Sequence, residues 1–121
     1  DPLVAHYHSE MGLLDFAEEK YRSASTHLMR VGLLYDDEAL CGRALLKAYE
    51  ACRRMGDERK ALICLNELAG TEAGTYGRRY PKSTYAGKGR DLLDVHAKSG
   101  TLQPVDKLPE EQPPAAPELD G

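Results

Sequence analysis

A pattern of glycine, alanine and larger side chains occurs twice in this chain, 44 residues apart. It starts with the dipeptide Met-Gly, followed by an alanine five residues after the glycine and by further matching positions four and seven residues after that alanine. Because each unit of a repeat packs on its neighbours, such a repeat limits the chain to a few stacked architectures. The corresponding pairs are Gly12 and Gly56, Ala17 and Ala61, Tyr21 and Leu65, and Ala24 and Leu68.

Along residues 1–100 the apolar residues recur every three or four residues, as in Val4, Tyr7 and Met11, which is the period of a helix and not of a strand. We therefore predict an all-α fold of about five helices. Hairpins are expected at about 3–31 and 38–70, with a further helix at about 83–98. Gly12 and Gly56 are expected to form the turns between antiparallel helices, and Ala17 and Ala61 to allow their close approach.

The pattern resembles the tetratricopeptide (TPR) repeat family, whose turn and second helix carry Gly-x4-Ala-x3-large-x2-Ala or large. The segment YPKSTYA at 80–86 is similar to the junction between repeats of bacterial cell-envelope TPR proteins. The resemblance covers residues 3–98 and implies a right-handed array of stacked hairpins within a domain at 1–100. The period of about 44 residues departs from the family's usual 34.

The last part of the chain, residues 101–121, has a different composition. It contains five of the seven prolines and five acidic residues against one base, Lys107. Such a segment buries too little apolar surface to offset its ordering entropy. We predict that the tail is disordered.

Charge and motifs exclude several classes of function. The 16 Lys and Arg and 20 Asp and Glu become 15 of each once the tail is set aside, so the body lacks the positive excess that nucleic-acid binding requires. No phosphate loop, nucleophile motif or metal-ligand spacing occurs. We therefore expect neither an enzyme nor a cofactor or metal site, and no apolar run reaches the roughly 20 residues of a membrane span.

The resemblance implies that a partner protein binds in a concave groove lined by the first helix of each hairpin. Its positions in this chain are His6, Ser9, Glu10, Leu46, Glu50, Arg53 and Arg54. The asparagine and lysine clamp that some family members use to hold a C-terminal carboxylate is not reproduced. A helix or an extended peptide laid in the groove is the expected ligand.

A second candidate site is the segment from Ala73 to Arg90, which has no acidic residue. An anionic partner would bind here, whereas a solvated surface is the alternative interpretation. Its five bases are Arg78, Arg79, Lys82, Lys88 and Arg90.

The function predicted from the sequence is therefore a non-enzymatic protein-protein interaction module. One alternative is a structural bracket in a bacterial envelope assembly, similar to periplasmic TPR lipoproteins, which favours the periplasm over the cytoplasm. Another is an accessory domain of an enzyme. Two and a half hairpins are few for a repeat array, so the tail caps the open end, or the chain is part of a longer protein, or it forms a homodimer, and we favour the last two.

Overall fold

All regular structure in the part of the chain that is described is helical. The computed structural model describes residues 1–111, and the all-α prediction is confirmed. Residues 1–111 contain six α-helices instead of the predicted five, because a short helix, α5, precedes the last one. The elements are α1 (Pro2–Ala17), α2 (Tyr21–Leu34), α3 (Glu38–Met55), α4 (Glu58–Ala69), α5 (Tyr76–Arg79) and α6 (Thr84–Ser99), followed by a 3-10 turn at Pro109–Glu111.

The ends of α3 and α4 are set by short polar caps and by glycine. Asp37 and Asp57 accept hydrogen bonds from backbone N–H groups in the first turns of these helices, at 2.8 and 3.1 Å, which satisfies donors that have no partner within the helix. Gly56 and Gly70 follow the two helices with φ of 76° and 77°, a left-handed conformation that closes helices and favours glycine. The predicted turn at Gly56 and the predicted end at Gly70 are confirmed.

The predicted turn at Gly12 is wrong, because Gly12 lies inside α1 and is buried. A Cβ at this position would lie 2.5 Å from Cγ of Leu28, so the glycine lets α2 pack closely on α1. The turn of the first hairpin comes later, where Glu19 adopts φ of 62°. A buried glycine can thus serve close packing instead of chain reversal.

The two hairpins correspond at an offset about seven residues shorter than the 44 residues that separate the repeated sequence pattern. α1 and α3 begin at positions 2 and 38, and α2 and α4 at positions 21 and 58, so the offsets are 36 and 37 residues. At an offset of 37 the left-handed Glu19 matches Gly56, and the matching side chains of α2 and α4 are fully buried. These pairs are Ala24 and Ala61, Leu28 and Leu65, and Val31 and Leu68.

Ala17, which was predicted to allow close approach of the helices, is instead exposed at the end of α1. A spacing longer than 37 residues occurs only after the second hairpin, where α6 begins at Thr84, 46 residues after the start of α3 at Glu38. The added chain contains α5, whose Tyr76 is fully buried and donates a hydrogen bond to the carbonyl of Glu38 at 2.6 Å. The insertion therefore contributes to the core and ties it to the start of α3.

Each long helix packs on the next, with α2 between α1 and α3, and α4 between α3 and α6. α1 buries a face of small residues that includes Ala5, Ser9 and Gly12. The opposite face of α1 carries a stripe with 3-4-3 spacing, formed by Val4, Tyr7, Met11 and Leu14, of which Tyr7 and Leu14 are each 57% exposed. Val4 is 43% exposed as well, and Met11 is half-buried.

Candidate functional site

Residues 101–110, here called the docked segment, lie along α3. Val105 and Leu108 are buried, whereas most of the residues between and around them are exposed. Thr101 and Leu102 share a cleft with Arg53 near the end of α3, and Glu110 shares one with Arg43 nearer its start. The segment therefore runs antiparallel to α3.

The prediction that the tail is disordered from residue 101 is therefore wrong for residues 101–110. The reason is that two apolar side chains, spaced three residues apart, fill a groove that the helices leave open, so the segment needs no core of its own. The remaining part of the predicted tail, residues 112–121, lies outside the described residues.

One attachment point for the segment is Glu50, a carboxylate on α3 that is fully buried. Its Oε1 accepts the backbone N–H of Val105 at 2.8 Å and Nε–H of Arg53 at 2.9 Å. Its Oε2 accepts from Nη2 of Arg53 and from Nε of Arg54, both at 2.7 Å. Two guanidinium groups thus compensate the buried charge and hold the carboxylate toward the segment.

Burial alone would raise the pKa of Glu50, but the hydrogen bonds from Arg53, from the backbone of Val105 and from Arg54 outweigh it and lower the pKa. Glu50 is therefore an ionised acceptor at neutral pH. Beside it, the hydroxyl of Tyr49 donates to the carbonyl of Gln103 at 2.6 Å. Burial raises the pKa of Tyr49 to about 12, so this hydroxyl keeps its proton. α3 therefore offers the segment one acceptor and one donor for backbone groups.

The predicted groove residues are only partly available to a partner. His6 and Glu10 are exposed, and Arg53 and Arg54 are 27% and 34% exposed at their side chains while both bind Glu50. Three others are buried, which corrects the prediction that they face an open groove: Ser9, Leu46 and Glu50. Leu46 and Glu50 are covered because the segment and the neighbouring helices pack on several sides of α3, whereas Ser9 lies on the buried face of α1. Counting positions on an isolated helix does not reveal either kind of burial.

At the other end of the groove, three helices meet at a cleft of ≈ 420 Å³. α1 contributes His6, α3 contributes Arg43 and α6 contributes Tyr85, while Glu110 enters from the docked segment. The hydroxyl of Tyr85 donates a hydrogen bond to a carboxylate oxygen of Glu110. Burial, and after it this hydrogen bond, raises the pKa of Tyr85. The lining of the cleft thus includes both a carboxylate and a guanidinium group.

The basic segment between Ala73 and Arg90 is largely engaged within the fold. Arg78 donates to the carbonyls of Gly70 and Glu72 at 3.1 and 2.6 Å. Arg79 forms an ion pair with Asp36 at 2.9 Å, and Arg90 donates to a backbone carbonyl at 3.2 Å. Of the five predicted patch residues, Lys82 and Lys88 have side chains without a hydrogen bond or ion pair within the described chain. These contacts fix the loop around α5.

Three of the residues that make the groove were not among those predicted from the sequence: Arg43, Tyr49 and Tyr85. A signal for the docked segment was present in Val105 and Leu108, two apolar residues three apart in an otherwise polar stretch. No signal in the sequence indicated that this stretch returns to α3, because the contact joins residues more than 50 positions apart.

Within residues 1–111 no group of three or more His, Cys, Asp or Glu side chains is arranged to hold a metal ion. In the same range no helix combines the length and apolar character needed to cross a membrane. Cys41, Cys52 and Cys64 are buried free thiols.

Comparison with protein-family models, curated proteins and solved structures finds no match to this chain.

Proposed function

We propose that this protein is a non-enzymatic protein-protein interaction module that binds an extended segment of a partner along α3. The observation that carries the proposal is the way the groove holds residues 101–110. Glu50 and Tyr49 bind backbone groups of that segment, which any extended peptide possesses, and two apolar side chains fill the groove. Main-chain hydrogen bonds combined with side-chain pockets are a general means of binding extended peptides.

The correspondence between the two hairpins at an offset of 37 residues supports a TPR-like arrangement. In such an array the first helices of successive hairpins, here α1, α3 and α6, border one surface. His6, Arg43 and Tyr85 come from these three helices and border one cleft. The proposed binding surface therefore lies where the resemblance puts the concave face.

The test is to open the groove in the full-length chain and offer the segment as a free peptide. Replacing Val105 and Leu108 by Asp places charge in two apolar sites and should release the segment. A fluorescent peptide with the sequence TLQPVDKLPEE, residues 101–111, should then bind to this variant, as measured by fluorescence anisotropy. It should bind the unmodified chain much more weakly, because the tethered segment competes at high effective concentration.

The matched control is Asp106→Ala, a change in the same segment at an exposed position. It should leave the groove closed and give the weak binding of the unmodified chain. Far-UV circular dichroism checks that each variant keeps its helices, and a milder opening variant, with both anchors changed to Ala, covers loss of folding. Absence of peptide binding to folded, opened chains would show that the segment is a fixed part of the fold.

A second candidate function, a structural bracket that self-associates, is favoured by the outer face of α1. Val4, Tyr7, Met11 and Leu14 have the 3-4-3 spacing of a coiled-coil seam. In an antiparallel pair of α1 helices from two copies, Val4 would meet Leu14 and Tyr7 would meet Met11. Sedimentation should then show a dimer that Tyr7→Glu dissociates, whereas a monomeric unmodified chain would remove this role.

A further inference from the structure

Two histidines form a direct polar contact between α1 and α2. Nδ1 of His8 lies 2.8 Å from Nδ1 of His27, and the centres of the two rings are 5.1 Å apart. Both side chains are half-buried. A hydrogen bond between two ring nitrogens requires that one of them carries a proton and that the other does not. The contact between the helices therefore depends on the protonation state of this pair.

The neighbours of the pair fix which ring nitrogen carries the proton. Nη1 of Arg30 lies 3.4 Å from Nε2 of His8, and because a guanidinium group can only donate, Nε2 is the acceptor. His8 therefore carries its proton on Nδ1 and donates it to His27. The proton of His27 is then on Nε2, which faces the carboxylate of Asp15 at 4.0 Å. This arrangement satisfies both imidazoles in their neutral form.

The charged groups around the pair disfavour a second positive charge. Arg30 lies on one side of His8, and the ring of Tyr7 packs edge-on against it with 5.4 Å between the ring centres. Asp15 is the acid beside His27. Among residues 1–111 no other charged group lies within hydrogen-bond or ion-pair distance of either imidazole. Burial lowers the pKa of His8, and the neighbouring Arg30 and His27 lower this pKa further.

The pair can accommodate one added proton but not two. His27 takes the first proton because it lies beside Asp15, and His8 accepts from His27 after its own proton moves to Nε2. This change costs only the contact with the exposed Arg30. With a second proton both Nδ1 atoms carry hydrogen and face each other across 2.8 Å, so the hydrogen bond is lost and two positive charges repel. Movement of α1 away from α2 relieves this repulsion.

We propose that the contact between His8 and His27 is an acid-sensitive switch, which releases α1 from α2 when both imidazoles are protonated. α1 is suited to release because it packs chiefly on α2. The face that it buries includes small residues such as Ala5 and Gly12, which bury little apolar surface. The switch is independent of the proposed peptide binding, since it acts within the first hairpin.

Release of α1 would nevertheless alter the surface that the chain presents. Leu28 of α2 is fully buried and lies against the backbone of Gly12, so it would become exposed. His6 of α1 lines the cleft that also holds Glu110, so this cleft would lose one wall. Acidification would thus uncover apolar surface on α2 and widen one end of the groove.

The pH range of the switch follows from the number of bound protons. An exposed imidazole has a pKa of about 6.5, so two released histidines hold nearly two protons between about pH 6 and pH 5. The docked pair holds one. Release therefore takes up one more proton, and each unit of acidification favours it about tenfold. The docked state accordingly becomes more stable as pH rises through this range.

Hydrogen exchange followed by mass spectrometry measures release helix by helix in the full chain. Protection of the α1 amides, corrected for the intrinsic exchange rate at each pH, should fall about tenfold from pH 6 to pH 5, while that of α3 changes little. In the double variant His8→Asn with His27→Asn, the side-chain amides offer a donor and an acceptor but do not titrate. The fall should then be less than about twofold. The matched control is His6→Gln at an exposed position on the same helix, which should keep the full change.

Three results would overturn the proposal. The first is an equal pH dependence in the double variant, which would remove the role of the pair. The second is a parallel loss of protection in α3, because the whole chain would then be unfolding. The third comes from NMR titration of the unmodified chain, which does not depend on the folding of any variant. The imidazoles of His8 and His27 should titrate in two separate steps, whereas one common step near the ordinary histidine value would contradict their coupling.

Discussion

Replacing Glu50 by Gln tests whether the buried carboxylate organises the groove. The substitution preserves shape and removes the charge. The substituted amide has one carbonyl oxygen to accept hydrogen bonds, whereas the carboxylate accepts four, from Arg53, Arg54 and the backbone of Val105. The amide nitrogen would also place N–H donors against the donors of an arginine.

The loss of stability expected for Glu50→Gln depends on how exposed its two partners, Arg53 and Arg54, are. Breaking a buried ion pair by removing one member costs about 3–5 kcal/mol when the other charge stays buried. Here the arginine side chains are 27% and 34% exposed and regain water when released. We therefore expect Glu50→Gln to lower the free energy of unfolding by about 2–3 kcal/mol, below that range because the freed charges are solvated again.

Urea denaturation followed by circular dichroism at pH 7 measures this difference. The matched control is Glu10→Gln, the same change at an exposed position on α1, which should alter stability by no more than about 0.5 kcal/mol. Release of the docked segment should accompany the loss of stability, because Val105 loses its acceptor. The opened-groove peptide assay reports that release.

The pH dependence follows from the lowered pKa of Glu50. A carboxylate whose pKa is lower in the folded than in the unfolded state adds stability that is fully present above its ordinary value of 4.5 and is lost as pH falls through the folded value. The difference in free energy of unfolding between the unmodified chain and Glu50→Gln should be constant from neutral pH down to about pH 5 and should shrink at lower pH. A gap equal to that of the Glu10 control, or one unchanged at strongly acidic pH, would refute this account.

Two further predictions test the packing of the helices by thermal denaturation. Ala24→Leu and Ala61→Leu should each cost about 1–3 kcal/mol by overpacking, whereas Ala17→Leu should be nearly neutral; equal effects at all three positions would contradict the 37-residue correspondence. Gly12→Ala should lower the free energy of unfolding by a similar amount, because the added Cβ would clash with Leu28. Gly87→Ala should instead stabilise α6 by up to about 1 kcal/mol, because its Cβ would meet only the flexible side chain of Arg90 at 3.7 Å. Stabilisation at both glycines would contradict the close contact of α1 and α2.

The existence of the helices was predictable because it depends on local signals. Apolar periodicity and glycine ends lie within the segment they specify, and Asp57 and Gly70 bound α4 as such signals require. The register of the repeat was not predictable, because a shift of seven residues is about two helical turns and keeps the same face of the helix inward. Ala17 and Ala24 are therefore equivalent in a periodic pattern, and only packing against the neighbouring helix distinguishes them.

The glycine pattern misled for a related reason. Glycine occurs where a backbone needs positive φ and also where two helices approach closely, and the residue type alone does not tell these apart. Gly56 is of the first kind and Gly12 of the second. In the first hairpin the left-handed turn residue is Glu19, which carries no sequence signal for a turn. Gly12 and Gly56 therefore match in residue type but not in structural role.

The docked segment could not be predicted from its composition. A proline-rich acidic stretch lacks the means to form its own core, which would leave it disordered as an isolated segment. It is ordered here because the helices already form a hydrophobic core, which Val105 and Leu108 join from the segment. The buried Glu50 is equally invisible to sequence reasoning, since its compensation requires Arg53, Arg54 and a residue 55 positions away.

The tethered segment sets the requirement that any partner has to meet. A short tether gives an effective concentration on the order of millimolar, so a partner present at about 1 μM needs roughly 1,000-fold tighter intrinsic binding to displace it. The other end of the groove has a second cleft of ≈ 320 Å³ beside Arg53, Gly56 and Leu102. A partner segment long enough to fill this cleft and the cleft beside Tyr85 therefore has the means to replace the chain's own residues, whereas a peptide limited to one cleft does not.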